Sequence, residues 1–216
     1  MSGKTIAAFI IFLSCSFFLH AQITKGSILL GGQIYYSATT YDYPFQKESK
    51  NNSANFNISA GKAFKENAVF GINFTYNPSS VSNYYNGNGL IDATVRSYNF
   101  GVFYRQYKKL AKDLYFFTEF SVAYVTAKQI EKDTAGTTLE TVTQSGGKLG
   151  LTPGISYKIW NKLHLEILIP NIADVQDIKT SDQTHAYSSA QHQFLFNTSL
   201  NNSGLNFLGV GFKFIF

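Results

Sequence analysis

The feature that most constrains this chain is an alternation with a period of two. Residues 28–36 place Ile28, Leu30, Ile34 and Tyr36 on one parity and Gly31 and Gln33 on the other. The same rule holds in 55–60, 69–76, 98–105, 116–124, 149–157 and 163–169, and again from about Leu205 to Phe216. Side chains on a strand point to opposite faces in turn, so each segment reads as a strand with one bulky apolar face. A soluble sheet of this kind would put Lys, Glu and Asp on its polar face, toward water. Here that face carries Gly, Asn, Ser and Thr. Composition agrees: aromatic residues are 16% and charged residues only 14%, against roughly 25% charged in a typical soluble domain. The bulky face therefore suits lipid, and the small polar face suits a crowded interior.

The strand-embedded charges support that assignment. Arg105, Glu119, Glu166 and Lys213 all fall on the non-apolar parity. They are predicted to face inward, with Arg105 beside Glu119 and Glu166 beside Lys213 on neighbouring strands. A buried charge needs a partner, so the first reading of these four is structural, with a polar gate as the functional alternative. Arg96 breaks the parity and is placed at the rim, where a charge facing sideways costs little. Eight such strands are predicted. The segments after the first, third, fifth and seventh (38–52, 77–93, 128–146 and 171–193) are long and polar, and read as loops. Those after the second, fourth and sixth (62–67, 108–113 and 158–162) are short. Short turns at one end and long connections at the other describe an up-and-down meander closed into a barrel. Gly146-Gly147 and residues 201–204 interrupt the alternation and read as bulges at the rim, with strands six and eight extending above it; the alternative is a ninth and tenth strand.

Residues 1–21 read as a secretory signal peptide. Lys4 precedes the apolar stretch 5–19, and the small residue Ala21 precedes the predicted cut before Gln22. The stretch is short for a spanning helix. Cys15 lies inside it, so the predicted mature chain of 22–216 has no thiol chemistry and no disulfide framework.

Net charge is +5, but the basic residues are scattered and no nucleic-acid motif accompanies them, so no nucleic-acid partner is expected. Asp182, His185, Ser188, Ser189 and His192 gather nucleophile and base types in the last long segment. Their spacing defines neither a triad nor a coordination geometry, so no catalytic residue, metal site or cofactor is assigned. Tyr41, Tyr43, Phe45, Tyr84 and Tyr85 are expected to pack in the loops or at the lipid boundary. Interfacial girdles are predicted at Tyr36, Tyr76, Tyr98 and Tyr124 on one side, and at Phe64, Tyr104, Tyr107, Trp160 and Phe216 on the other.

The sequence resembles the small bacterial outer-membrane protein β-barrel domain family, porin-like or OmpA-type. The resemblance rests on His20-Ala21-Gln22, Gly26-Ser27-Ile28-Leu29-Leu30-Gly31-Gly32, Phe103-Tyr104-Arg105-Gln106-Tyr107, Thr152-Pro153-Gly154-Ile155-Ser156-Tyr157 and the last eight residues. It implies an all-β, eight-stranded antiparallel transmembrane barrel over 22–216. It also implies contact with outer-membrane lipid and lipopolysaccharide, and insertion by a barrel-assembly machinery that reads the last strand, here Val210, Phe212, Phe214 and Phe216. The family implies no single activity. The peptidoglycan-binding domain that often follows such barrels is not expected after Phe216. The expected role is structural or surface-interacting, with no enzymatic activity and an unknown surface ligand. The alternatives are a narrow porin-like channel, a lipid-modifying enzyme and a soluble exported barrel.

Overall fold

The computed structural model describes residues 23–41, 48–85, 89–170, 172–182, 190–198 and 208–216. The predicted signal cut at Ala21 and Gln22 lies outside them, as do Tyr43, Phe45, His185, Ser188, Ser189 and the break at 201–204. The described secondary structure is strand: β1 (Ile28–Tyr41), β2 (Ser49–Lys65), β3 (Ala68–Tyr85), β4 (Leu90–Lys109), β5 (Leu114–Asp133), β6 (Thr138–Lys158), β7 (Leu163–Leu168), β8 (Ala173–Asp182), β9 (Ala190–Thr198) and β10 (Gly209–Ile215).

Every pairing is antiparallel, and the pairings close on themselves. The chain zips from β1 through β6 in order, then β6 pairs with β7, β7 with β10, and β10 with β1. That circuit is an eight-stranded up-and-down barrel. The remaining two segments extend it. β7 pairs with β6 at Gly154–Lys158 and β8 pairs with the stretch of β6 above it, from Val142 to Leu151. They are thus two halves of one barrel strand, interrupted around Pro170. Proline cannot donate to a ladder. At the interruption the Ile169 amide donates to the carbonyl of Pro153 at 3.0 Å, so both prolines in this region sit at an irregularity, where strands tolerate them. β9 continues upward beside β8.

In the polar segments 38–52, 77–93 and 128–146, read as loops from sequence, the described residues are largely strand. β3 to β6 are 18, 20, 20 and 21 residues long, about twice the 9–11 that cross a bilayer. Above the apolar belt both faces meet water, so alternation disappears while the backbone ladder continues. The β5–β6 connection is tight. Between β5 and β6, Asp133 Oδ1 accepts from the amides of Ala135 and Thr137 at 3.0 and 2.8 Å, and Gly136 takes the positive φ of 86°. The predicted bulge at Gly146-Gly147 is absent: β6 pairs with β5 without a break through both glycines. Leu139 and Leu149 share one parity and are both exposed. The register shift lies higher, at Glu131 and Lys132 beside the hairpin tip.

Burial follows parity. Ile28, Leu30, Ile34 and Tyr36 are exposed on β1, and Val210, Phe212, Phe214 and Phe216 along the last strand, while Gly209, Gly211 and Lys213 are buried. Tyr98 and Tyr124 are exposed at one margin of this belt, with Tyr76 stacked on Tyr98 at 5.2 Å. Phe64, Trp160 and Phe216 are exposed at the other, with Tyr104 against Phe64 at 6.0 Å. Tyr107 departs from the predicted girdle: it is only 3% exposed and points inward. Its odd number puts it on the register of Phe103 and Arg105, and in the girdle prediction an aromatic near a strand end outweighed its own parity.

Ile72 lies at mid-belt and is 64% exposed. Ile72→Lys should lower stability by about 2–4 kcal/mol, read by urea unfolding of protein refolded into lipid vesicles. An unchanged midpoint would show that this face does not meet hydrocarbon.

Candidate functional site: the barrel interior

The interior is built in layers. At the short-turn end Ile23, 1% exposed, lies in a core with Leu29, Val69, Phe103, Tyr107 and Phe117. The segment carrying Ile23 is fixed there by backbone bonds: the Asn67 amide donates to the Ile23 carbonyl at 2.9 Å and the Gly26 amide to that of Ala63 at 2.8 Å. Large rings fit inside so narrow a barrel because glycine faces them. A Cβ on Gly71 would lie 2.6 Å from Phe103 Cζ and 2.7 Å from Gly61 Cα, closer than packed atoms approach, so Phe103 needs these two glycines.

Above this core sits the charge layer. Arg105 is fully buried. Its Nε donates to Glu119 Oε2 at 2.8 Å, from the residue directly opposite on β5. Its Nη1 donates across the lumen to both oxygens of Glu166 on β7, at 2.7 and 2.9 Å, and to the Tyr107 hydroxyl at 3.0 Å. The guanidinium carbon lies 4.3 Å from the centre of the Phe117 ring. One planar cation thus holds two carboxylates, a phenol and an aromatic face, a combination that the guanidinium fork suits and an ammonium does not. Lys213 is also fully buried, and its Nζ donates to Ser59 Oγ at 2.5 Å. Sequence placed Glu166 beside Lys213; the geometry instead gives Glu166 to Arg105, while Lys213 stands opposite His164 in the register. His164 in turn meets Ser156 Oγ through Nδ1 at 3.0 Å, both buried.

Toward the long hairpins the lumen turns neutral and polar. Gln33, Asn55, Asn57, Asn73 and Asn99 line a cavity of about 70 Å³ that reaches down to Glu119. Asn57 donates to Thr75 at 2.8 Å. Lys148 and Asp174 form a further ion pair at 3.7 Å, which the sequence reading did not single out. The signal was available, since Lys148 has the interior parity of β6, but Asp174 lay in a segment taken for loop.

The residues considered for catalysis do not assemble among the described ones. Asp182 ends β8, and His192 falls in β9 opposite Lys179. No group of three or more His, Cys, Asp or Glu that could hold a metal occurs among the described residues.

A closed barrel with an apolar belt, aromatic margins and its buried charges gathered inside is a transmembrane β-barrel. Comparison with known proteins adds the following. No family model and no curated protein matches the chain. Among solved structures it is similar to Neisserial surface protein A, with a TM-score of 0.45 and 14% identity over 89% of this chain and 98% of that one. It is similar to the translocator domain of the autotransporter NalP from Neisseria meningitidis, with a TM-score of 0.39 and 11% identity over 99% and 98%. It is also similar to the attachment invasion locus protein Ail of Yersinia pestis, with a TM-score of 0.36 and 10% identity over 89% and 100%.

Glu166→Gln leaves the buried guanidinium short of one charge and should destabilise the barrel by about 3–5 kcal/mol. Breaking the exposed Lys50–Glu48 pair, 3.6 Å apart, should cost at most about 1 kcal/mol. Urea unfolding of both variants in detergent micelles checks the contrast. Replacing Arg105 by Met alongside Glu166→Gln should recover part of the loss, since the buried charges left in the layer, Glu119 and Lys213, are then equal in number and opposite in sign.

Proposed function

We propose that this protein is an integral outer-membrane barrel with a structural or surface-interacting role, exerted by its long hairpins, and that it performs no chemistry. The observation that carries this reading is the contrast between the two ends. Below, Ile23, the interior aromatics and the Arg105–Glu119–Glu166 cluster fill the lumen. Above, β1–β2, β3–β4 and β5–β6 run on as ladders well past the belt. Rigid display on a closed base suits contact with a surface partner. In this reading the belt meets outer-membrane lipid and lipopolysaccharide. The apolar-faced last strand, Val210 to Phe216, is what the barrel-assembly machinery engages.

The experiment is cell fractionation with gels run with and without boiling. A heat-shifting band in the outer membrane is the expected result. A soluble band that does not shift would overturn the reading in favour of a soluble exported barrel.

The polar cavity over Glu119 favours a second reading, a narrow channel for small solutes. It requires a path through the Arg105 layer. Planar bilayer recordings of the refolded protein should show no discrete conductance steps. Steps that persist in purified wild-type protein would replace the display role with transport.

A further inference from the structure

Three cations point outward just above the aromatic margin, on two neighbouring strands. Arg96 on β4 lies opposite Lys128 on β5, and both side chains are exposed. Arg96 is two residues above Tyr98, hence one outward step above the belt. Lys132 follows on β5, opposite Asp92. Asp92 lines the same hollow as the three cations and accepts from the Asn83 amide at 2.9 Å, so the cluster sets three positive charges against one negative. Among the described residues none of the three cations is ion-paired with a carboxylate; the pairs found are Lys50–Glu48, Lys148–Asp174 and the two at Arg105. On the β3 side Arg96 stands opposite the uncharged Pro78, while across β6 the exposed Lys179 of β8 is a further cation, opposite Ser145.

The β3 side also carries two outward hollows, one above the other. The lower, about 590 Å³, lies within the apolar belt where Ala60 leaves room between Leu30, Ile72 and Phe74. The upper, about 310 Å³, is bounded below by Tyr36 and Tyr76, floored by serines and closed by Arg96. The row Phe56, Tyr76 and Tyr98 separates them, with its rings stacked side by side. An apolar hollow beneath a polar one edged by Arg96, with Lys128 and Lys132 around the adjoining hollow that Arg96 also lines, matches an amphiphile with hydrocarbon below and anionic oxygens above. A phosphate at a lipid headgroup meets that geometry, since cations near a charged leaflet each gain about 1 kcal/mol.

We propose that the outward face of β2–β5 is a docking site for a phosphorylated lipid of the outer leaflet, its acyl chain over Ala60 and its phosphate at Arg96 and Lys128, with Lys132 beyond. This rests on the outer-membrane reading and assigns one face of the barrel to lipid recognition.

The test uses the full chain refolded into phosphatidylcholine vesicles doped with lipid A, either phosphorylated or enzymatically dephosphorylated. Lipid retained after mild detergent extraction and affinity capture is quantified. Wild type should retain the phosphorylated form preferentially. Arg96→Ala, Lys128→Ala and Lys132→Ala combined should reduce that retention on the order of tenfold. Lys108→Ala, Lys109→Ala and Lys112→Ala combined, at the opposite end, should leave it unchanged. The boiled and unboiled gel reports folding of each variant separately. Equal retention by wild type and the Arg96 triple variant, both heat-shifting, would overturn this inference and leave the outer-membrane reading standing. Capture of a soluble sulfated oligosaccharide by the same cations, with no preference between the two lipids, would also overturn it. A protein that never enters vesicles would sink both.

Discussion

Everything in this structure depends on the lack of water along the outer face of the sheet. A strand edge in that setting has no solvent to satisfy its amides and carbonyls. The first and last strands must therefore meet, and they do so over the register from Leu29 opposite Ile215 to Ile34 opposite Val210. Closure in turn fixes the diameter, and eight strands leave an interior only wide enough for side chains. What lies inside is then a packing problem, solved by setting glycines against rings and one arginine against two carboxylates.

Arg105 shows how such an interior differs from a soluble core. A soluble domain can place its charges in water and its apolar groups inside. Here the two preferences are inverted, because the outward positions belong to hydrocarbon. Polar groups are enclosed and must be completed by one another. The cost of desolvating Arg105 is offset by partners on β4, β5 and β7 that engage its Nε and Nη1. Ion pairs formed across the lumen hold opposite walls together in a way that ladder hydrogen bonds, which run only between neighbours, do not.

Much of this was legible in the sequence for a simple reason: parity reports the face of a residue directly. The inward positions of Arg105, Glu119, Glu166 and Lys213, and the outward stripe from Val210 to Phe216, need nothing more. Parity does not report height or direction across the lumen. Hence Glu166 was assigned to its strand neighbour Lys213, when its partner stands on a distant strand. Extension above the belt was read only for strands six and eight and missed in the others, because alternation is a signature of unequal faces. Where both faces are wet, as at Ser79 to Val81, a strand leaves no periodic mark. The break near Pro170 hid the second half of the seventh barrel strand by the same logic, and Asp174 with it.

The meeting of β1 and β10 also has a consequence in time. Contacts between residues far apart in sequence form slowly, because a long stretch of chain must be ordered before they reward it. Here the pairing of greatest sequence separation is also the one that closes the eight-stranded circuit. Until Gly209–Ile215 arrives, Leu29 to Ile34 offers half of a ladder to any strand that passes. The nascent chain therefore spends its longest-lived intermediate in the form most prone to pairing with the wrong neighbour. With the first strand made early and its partner late, this topology leaves that edge open through most of the chain's synthesis.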